Sequence, residues 1–163
     1  MSCMAYLRNW KRIVAIVPIT RKNGRTSSLV YYDDGSHERF ECRCERIVEV
    51  LALHFSTTRE QARRWSAATI GKGGQRKPPL VLQEHFCLVQ VKCRPESRHN
   101  SGTLGYLVLQ KIGQVQAHGA GSRVQFHKNG GHLDIVQKQR SVTEQINLAW
   151  MLVEQYREQR RRE

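Results

Sequence analysis

Residues 70–82, IGKGGQRKPPLVL, place Lys72, Arg76 and Lys77 among Gly71, Gly73 and Gly74, just ahead of Pro78 and Pro79. Cations on a glycine-rich backbone suit phosphate, because bare backbone N–H groups approach an anion closely and the side chains neutralise it. Spacing decides which phosphate. A nucleotide-binding P-loop needs two glycines bracketing four residues, then Lys and Ser or Thr, set between a strand and a helix. Here no Ser or Thr follows Lys72, and the run leads into Leu80-Val81-Leu82, which reads as a strand. The element order is inverted. Two readings remain, a connector with solvated charges and a grip on a nucleic-acid backbone.

Further basic groups stand beside this loop. Arg63 and Arg64 lie in a segment of helical patterning, and Arg21, Lys22 and Arg25 surround Gly24 between two expected strands. Charge placement makes Arg63, Arg64, Lys72, Arg76 and Lys77 the first expected nucleic-acid contacts. Arg21, Lys22 and Arg25 form a second arm.

Other chemistry is poorly supported. Cys42-Arg43-Cys44 and Cys87…Cys93 do not match the two-to-four-residue spacing of structural zinc cysteines, although Cys42 and Cys44 would share one face of a strand. His127 and His132 are expected as cross-strand neighbours on a polar hairpin face, and no metal is assigned to them. Glu84 followed by Gln90-Val91-Lys92 faintly echoes the acidic strand pattern of metal-dependent nucleases, without the further upstream acid that such a site needs. No G-x-S-x-G anchors a nucleophile triad. None of these patterns assigns a catalytic residue or a metal; the rival readings to DNA binding are a metal-dependent nuclease and a general RNA-binding protein.

These groups have to be carried by a scaffold. Ile13–Val17 reads as a strand ended by Pro18, and Ser28–Tyr32 as a second, with Asp34-Gly35 as a turn. Ile47 to Phe55 suits a helix with one wide apolar face. Thr57 with Glu60 reads as a capping box that opens a second helix over Thr58–Thr69. Pro79–Glu84, Phe86–Lys92, Tyr106–Ile112 and Val115–His118 read as strands, and 94–104 as an exposed polar loop. A two-residue turn at Asn129-Gly130 is expected to set Phe126 opposite Leu133 and Val124 opposite Ile135. Ser141-Val142-Thr143-Glu144 reads as a capping box for a last helix, with Val142, Ile146, Ala149, Trp150 and Val153 on its apolar side. The cations Arg157, Arg160, Arg161 and Arg162 at that helix's end suit its dipole. The expected fold class is α+β: a single domain, mostly antiparallel sheet, with two central helical segments and a C-terminal helix. Residues 1–12 and 157–163 are expected to be less ordered.

The 163 residues fit one domain with a real core. They carry 27 Lys plus Arg against 14 Asp plus Glu, a net charge of +13, which argues for a polyanionic partner. Residues 1–25 hold six cations and no acid, whereas a run of acids occupies 33–49. No stretch approaches membrane-span length, and Ile13–Ile19 is too short for a signal peptide. Five cysteines, an odd count, point to reduced thiols in the cytoplasm.

The order of motifs resembles the competence transcription factor (ComK) family of Gram-positive bacteria. Ile13–Pro18 comes first, then Gly24, Ser28 and Val30. Ile47-Val48-Glu49 through Phe55-Ser56-Thr57-Thr58 is similar to the family's apolar stretch ending in Phe-Gly-Ser-Ser. Lys77-Pro78-Pro79-Leu80 is similar to its Lys-Pro-Pro-Ile. Val124, Phe126, Asn129-Gly130, Leu133 and Ile135, leading to Ser141-Val142-Thr143-Glu144-Gln145, resemble its strand, turn, strand and helix start. The likeness spans roughly residues 13–150. Gln61-Ala62-Arg63 departs from the family's Gly-Arg-Lys, and the Gly71–Gly74 loop is longer than the family's. The resemblance implies a cytoplasmic transcriptional activator of competence that binds paired A·T-rich DNA boxes, chiefly through the minor groove. It implies an oligomer built from dimers, with no enzymatic activity and no cofactor. The family's C-terminal extension, which takes part in regulated proteolysis through an adaptor, has no counterpart up to Glu163, so an adaptor partner is not expected.

Overall fold

The computed structural model describes residues 5–20, 24–71, 77–95 and 103–163. Among them a short helix α1 (Ala5–Arg8) and a 3-10 turn (Trp10–Arg12) precede β1 (Ile13–Thr20), β2 (Thr26–Tyr32) and β3 (His37–Phe40). Helices α2 (Cys44–His54) and α3 (Arg59–Ile70) follow, then β4 (Leu80–Gln83), β5 (Phe86–Lys92) and β6 (Leu104–Val108). A 3-10 turn at Leu109–Lys111 leads to β7 (Ile112–His118), β8 (Gly121–Phe126), β9 (His132–Ile135) and the long helix α4 (Gln139–Arg161). The chain is α+β, with a six-stranded antiparallel sheet ordered β3-β2-β1-β6-β5-β4 and a three-stranded one ordered β7-β8-β9. No described helix is long and apolar enough to cross a membrane.

The large sheet is covered on both faces, which explains why β1 and β5 are apolar nearly throughout rather than alternating. On one face Ile13, Ile16, Leu88 and Tyr106 meet Ile47, Val48 and Leu51 of α2, with Tyr6 and Phe40 closing the edge. On the other, Val14, Val89, Val91 and Leu107 meet Val142, Ala149, Leu152 and Val153 of α4, and Val124, Phe126 and Ile135 of the small sheet. Fully burying one such aliphatic side chain contributes ~1.5–3 kcal/mol.

Several local expectations are corrected. Pro18 does not end β1; it pairs with Ser28 inside the strand. Beyond Ile16 no pairing with β6 continues, so Pro18 faces a ladder on one side only, where its missing N–H is tolerated. The α3 cap is Thr58, one residue later than expected: its Oγ1 accepts from the Gln61 N–H at 3.0 Å. Helix α4 begins at Gln139, ahead of Ser141, with no side-chain cap, and Trp150 is 43% exposed. Leu152 takes the buried place expected for it.

In the β8–β9 hairpin Val124 pairs with Leu133 and Ser122 with Ile135, a register displaced by two residues from the expected one. The connection is five residues long, with Lys128 and Gly131 at positive φ. A displacement of two preserves the pleat, so Val124, Phe126, Leu133 and Ile135 still share the core face. His132 pairs with Gln125 rather than His127.

Candidate nucleic-acid interface

Strand direction brings separate basic segments to one end of the large sheet. Thr20 pairs with Thr26, so the β1–β2 connection lies at the end where β1 finishes. β6 runs antiparallel to β1, and Lys92 pairs with Leu104, so the β5–β6 connection opens at the same end. β4 runs antiparallel to β5, with Leu80 opposite Leu88, which brings Lys77 to this end as well. Phe40 opposite Ser28 delivers the start of α2 here too. The β9–α4 junction completes the group: Lys92 N–H donates to Gln137 Oε1 at 2.7 Å, and Gln137 N–H to the Lys92 carbonyl at 3.2 Å.

This end therefore gathers Arg25, Arg43, Lys77, Lys92, Arg94 and Lys138, with Glu41 and Glu45 as the neighbouring acids. Arg25, Arg43, Lys77 and Lys138 are exposed. At the opposite end, the acids of the β2–β3 and β4–β5 turns are engaged by neighbouring cations. Arg12 Nη2 lies 2.6 Å from Asp34, Lys111 Nζ 3.3 Å from Asp33, and Arg157 Nε 3.6 Å from Glu84. This pole of the sheet thus gathers cations from five separate segments of the described chain.

Two buried side chains anchor the approach of Lys77. Ser66 Oγ donates to the Pro79 carbonyl at 2.7 Å and Gln90 Nε2 to the Pro78 carbonyl at 3.0 Å. Consecutive prolines offer no N–H to a ladder, so these bonds hold the turn into β4 through its acceptors alone. Gln145 Nε2 also donates to the Lys77 carbonyl at 3.5 Å.

Of the expected contacts, Arg25 and Lys77 stand at the basic pole. Arg21, Lys22, Lys72 and Arg76 lie outside the described residues. Arg63 and Arg64 sit on α3, about 10 Å along the helix axis from Gly71. Both are drawn to one carboxylate: Arg63 Nη2 lies 2.6 Å and Arg64 Nε 3.1 Å from Glu60 Oε1. Arg63's hydrogen bond is the largest cause that lowers the Glu60 carboxyl from 4.5 to about 2. Glu60, expected in the cap, is this clamp instead. Arg43, Lys92, Arg94 and Lys138 carried no signal of their own in the sequence, because only long-range strand pairing brings them together.

No family model, curated protein or solved structure matches the chain.

The remaining chemical candidates are dispersed. Glu84 lies in the β4–β5 turn and Lys92 at the far end of β5, while the Gln90 amide is buried on Pro78. Among the described residues no group of three or more His, Cys, Asp or Glu could hold a metal ion. Burial pushes the Cys44 and Cys93 thiols up to about 12 and raises Cys87 as well, which keeps them protonated and poorly nucleophilic near neutral pH. Cys44 opens α2, so it is not the strand partner expected for Cys42.

Proposed function

We propose that the protein is a DNA-binding transcriptional activator of the competence-factor type, which grips A·T-rich duplex with the basic pole of its large sheet. The observation that carries this reading is that strand pairing brings Arg25, Lys77, Lys92 and Arg94, from segments far apart in sequence, to one end of the large sheet. Cations that separate loops bring to one end of a sheet can follow a phosphate backbone and release its condensed counterions. Arginine on such loops also suits the narrow, strongly negative minor groove of A·T tracts. The motif order favours a competence-type regulator over a general polyanion binder. So does Ser56, at φ 63° where that family carries glycine. Cytoplasmic placement and assembly from dimers belong to the same proposal.

Titration with A·T-rich duplex, G·C-rich duplex and RNA, each with and without magnesium, tests it. The proposal requires tighter binding to A·T-rich duplex, no cleavage, and competition by a minor-groove ligand. Magnesium-dependent cleavage would favour the nuclease, and tighter binding to RNA the RNA-binding protein.

A further inference from the structure

A cleft of about 470 Å³ opens at the end of the large sheet opposite the basic pole, where Trp10 and Lys111 flank the β4–β5 turn. That volume is in the range of small-molecule sites. Buried Phe86 and Val108 and half-buried Trp10 form its apolar wall. Lys11 and His85, both exposed, and half-buried Gln83 and Lys111 complete it.

The wall is held by ring packing. Trp10 stands edge to face against Phe55, with centroids 4.9 Å apart and planes at 87°. It meets Phe86 in the same way, at 5.7 Å and 82°. Trp10 and Phe86 thus make a right-angled corner, which offers a planar guest one stacked and one edge-on contact.

The polar groups of the cleft are one-sided. Its neighbouring acceptors are occupied: Asp33 is held by Lys111 at 3.3 Å and Arg12 at 3.5 Å. Gln83 Oε1 accepts the His85 N–H at 3.0 Å, and Glu84 meets the His85 ring at 3.1 Å and Arg157 at 3.6 Å. The donors are open. Among the described residues, Lys11 Nζ, the Trp10 indole N–H and Gln83 Nε2 reach no hydrogen-bond acceptor. Lys11 meets the Trp10 ring, 5.7 Å from its centroid, and no carboxylate.

We propose that this cleft binds a small aromatic carboxylate, its ring in the corner of Trp10 and Phe86 and its carboxylate on Lys11. A carboxylate is acceptor-only, as open donors require. One cation without a counter-charge matches a singly charged group better than a dianionic phosphate. The site lies at the far end of the sheet from the basic pole, and the proposal does not rest on the DNA-binding reading.

The test titrates the full chain, without DNA, with 1-naphthoate, its neutral analogue 1-naphthamide, and decanoate. The readout is the indole N–H cross-peak of Trp10 in heteronuclear NMR, assigned by its loss in Trp10→Phe. Naphthoate should move this peak saturably, with a Kd of about 1 mM or below for a ligand of its size, and naphthamide should bind more weakly. Lys11→Glu, at an exposed position, should weaken naphthoate about fivefold, the upper worth of an exposed ion pair, and leave naphthamide unchanged. Gln83→Glu keeps an acceptor for the His85 N–H and replaces an open donor by an anion, so it should also weaken naphthoate. A naphthoate shift that does not saturate, tighter binding of decanoate, or an equal loss for naphthoate and naphthamide in Lys11→Glu overturns the proposal.

Discussion

Arg63 and Glu60 form a clamp within α3: Arg63 Nη2 sits 2.6 Å from Glu60 Oε1, and Arg63 Nε 3.1 Å from Glu60 Oε2. Arg64 shares Oε1, so two arginines expected to meet phosphate are opposed by one internal anion. Because the Glu60 carboxyl is lowered to about 2, its contribution is complete above its ordinary value of 4.5 and fades as pH falls toward 2. The clamp is thus constant between pH 5 and 8. Carboxyl NMR should give a midpoint near 2 that rises toward 4.5 in Arg63→Ala. Glu60→Gln should tighten DNA binding and steepen its salt dependence by about one ionic contact. An unchanged slope would remove Arg63 and Arg64 from the interface.

Ser56 ends α2 in the left-handed region, at φ 63°. Its N–H donates to the Leu53 carbonyl and the Thr57 N–H to the Ala52 carbonyl, the paired bonds of a Schellman turn that glycine favours. Ser56→Gly should raise stability by ~0.5–1 kcal/mol in chemical denaturation, since the serine Cβ penalty exceeds glycine's entropic cost.

Gly105 allows β6 to approach its neighbours closely. A Cβ there would lie 2.6 Å from Cys93 Sγ and 2.7 Å from the Ile16 carbonyl oxygen. Gly105→Ala should destabilise the fold by ~1–3 kcal/mol, read from the denaturation midpoint. Loss should appear at constant m-value if the sheet shifts without rearranging.

The thiols should separate by burial. Cys42 is half-buried, whereas Cys44, Cys87 and Cys93 are buried. In a Cys3→Ser background, a thiol-exchange reagent should titrate one group quickly in the native protein. The other three should react only after unfolding.

Some of this architecture was legible along the chain. The β5 span Phe86–Lys92 was readable because a continuous apolar run is what burial on both sheet faces requires. The α2 core face followed from the spacing of Ile47, Val48 and Leu51. The hairpin register was not legible, because Asn129-Gly130 imitates a two-residue turn while positive φ falls at Lys128 and Gly131. Trp150 was misplaced because Leu152 and Val153 take the buried face of α4. The basic pole was invisible for a different reason. It depends on β1 meeting β6 through Ala15–Leu107 and Ile16–Tyr106, contacts about ninety residues apart that no local pattern encodes.

The account's central claim is that one end of the large sheet holds the duplex. Its most direct test compares the salt dependence of A·T-rich duplex binding for the wild type and two variants. One is Arg25→Ala/Lys77→Ala/Lys138→Ala at the basic pole; the other is Lys11→Ala/Lys111→Ala, with Lys111 at the opposite end, 3.3 Å from Asp33. The slope of log K against log salt should flatten by up to about three ionic contacts in the first variant and stay unchanged in the second. An unchanged slope in the first, or equal flattening in both, would contradict the claim.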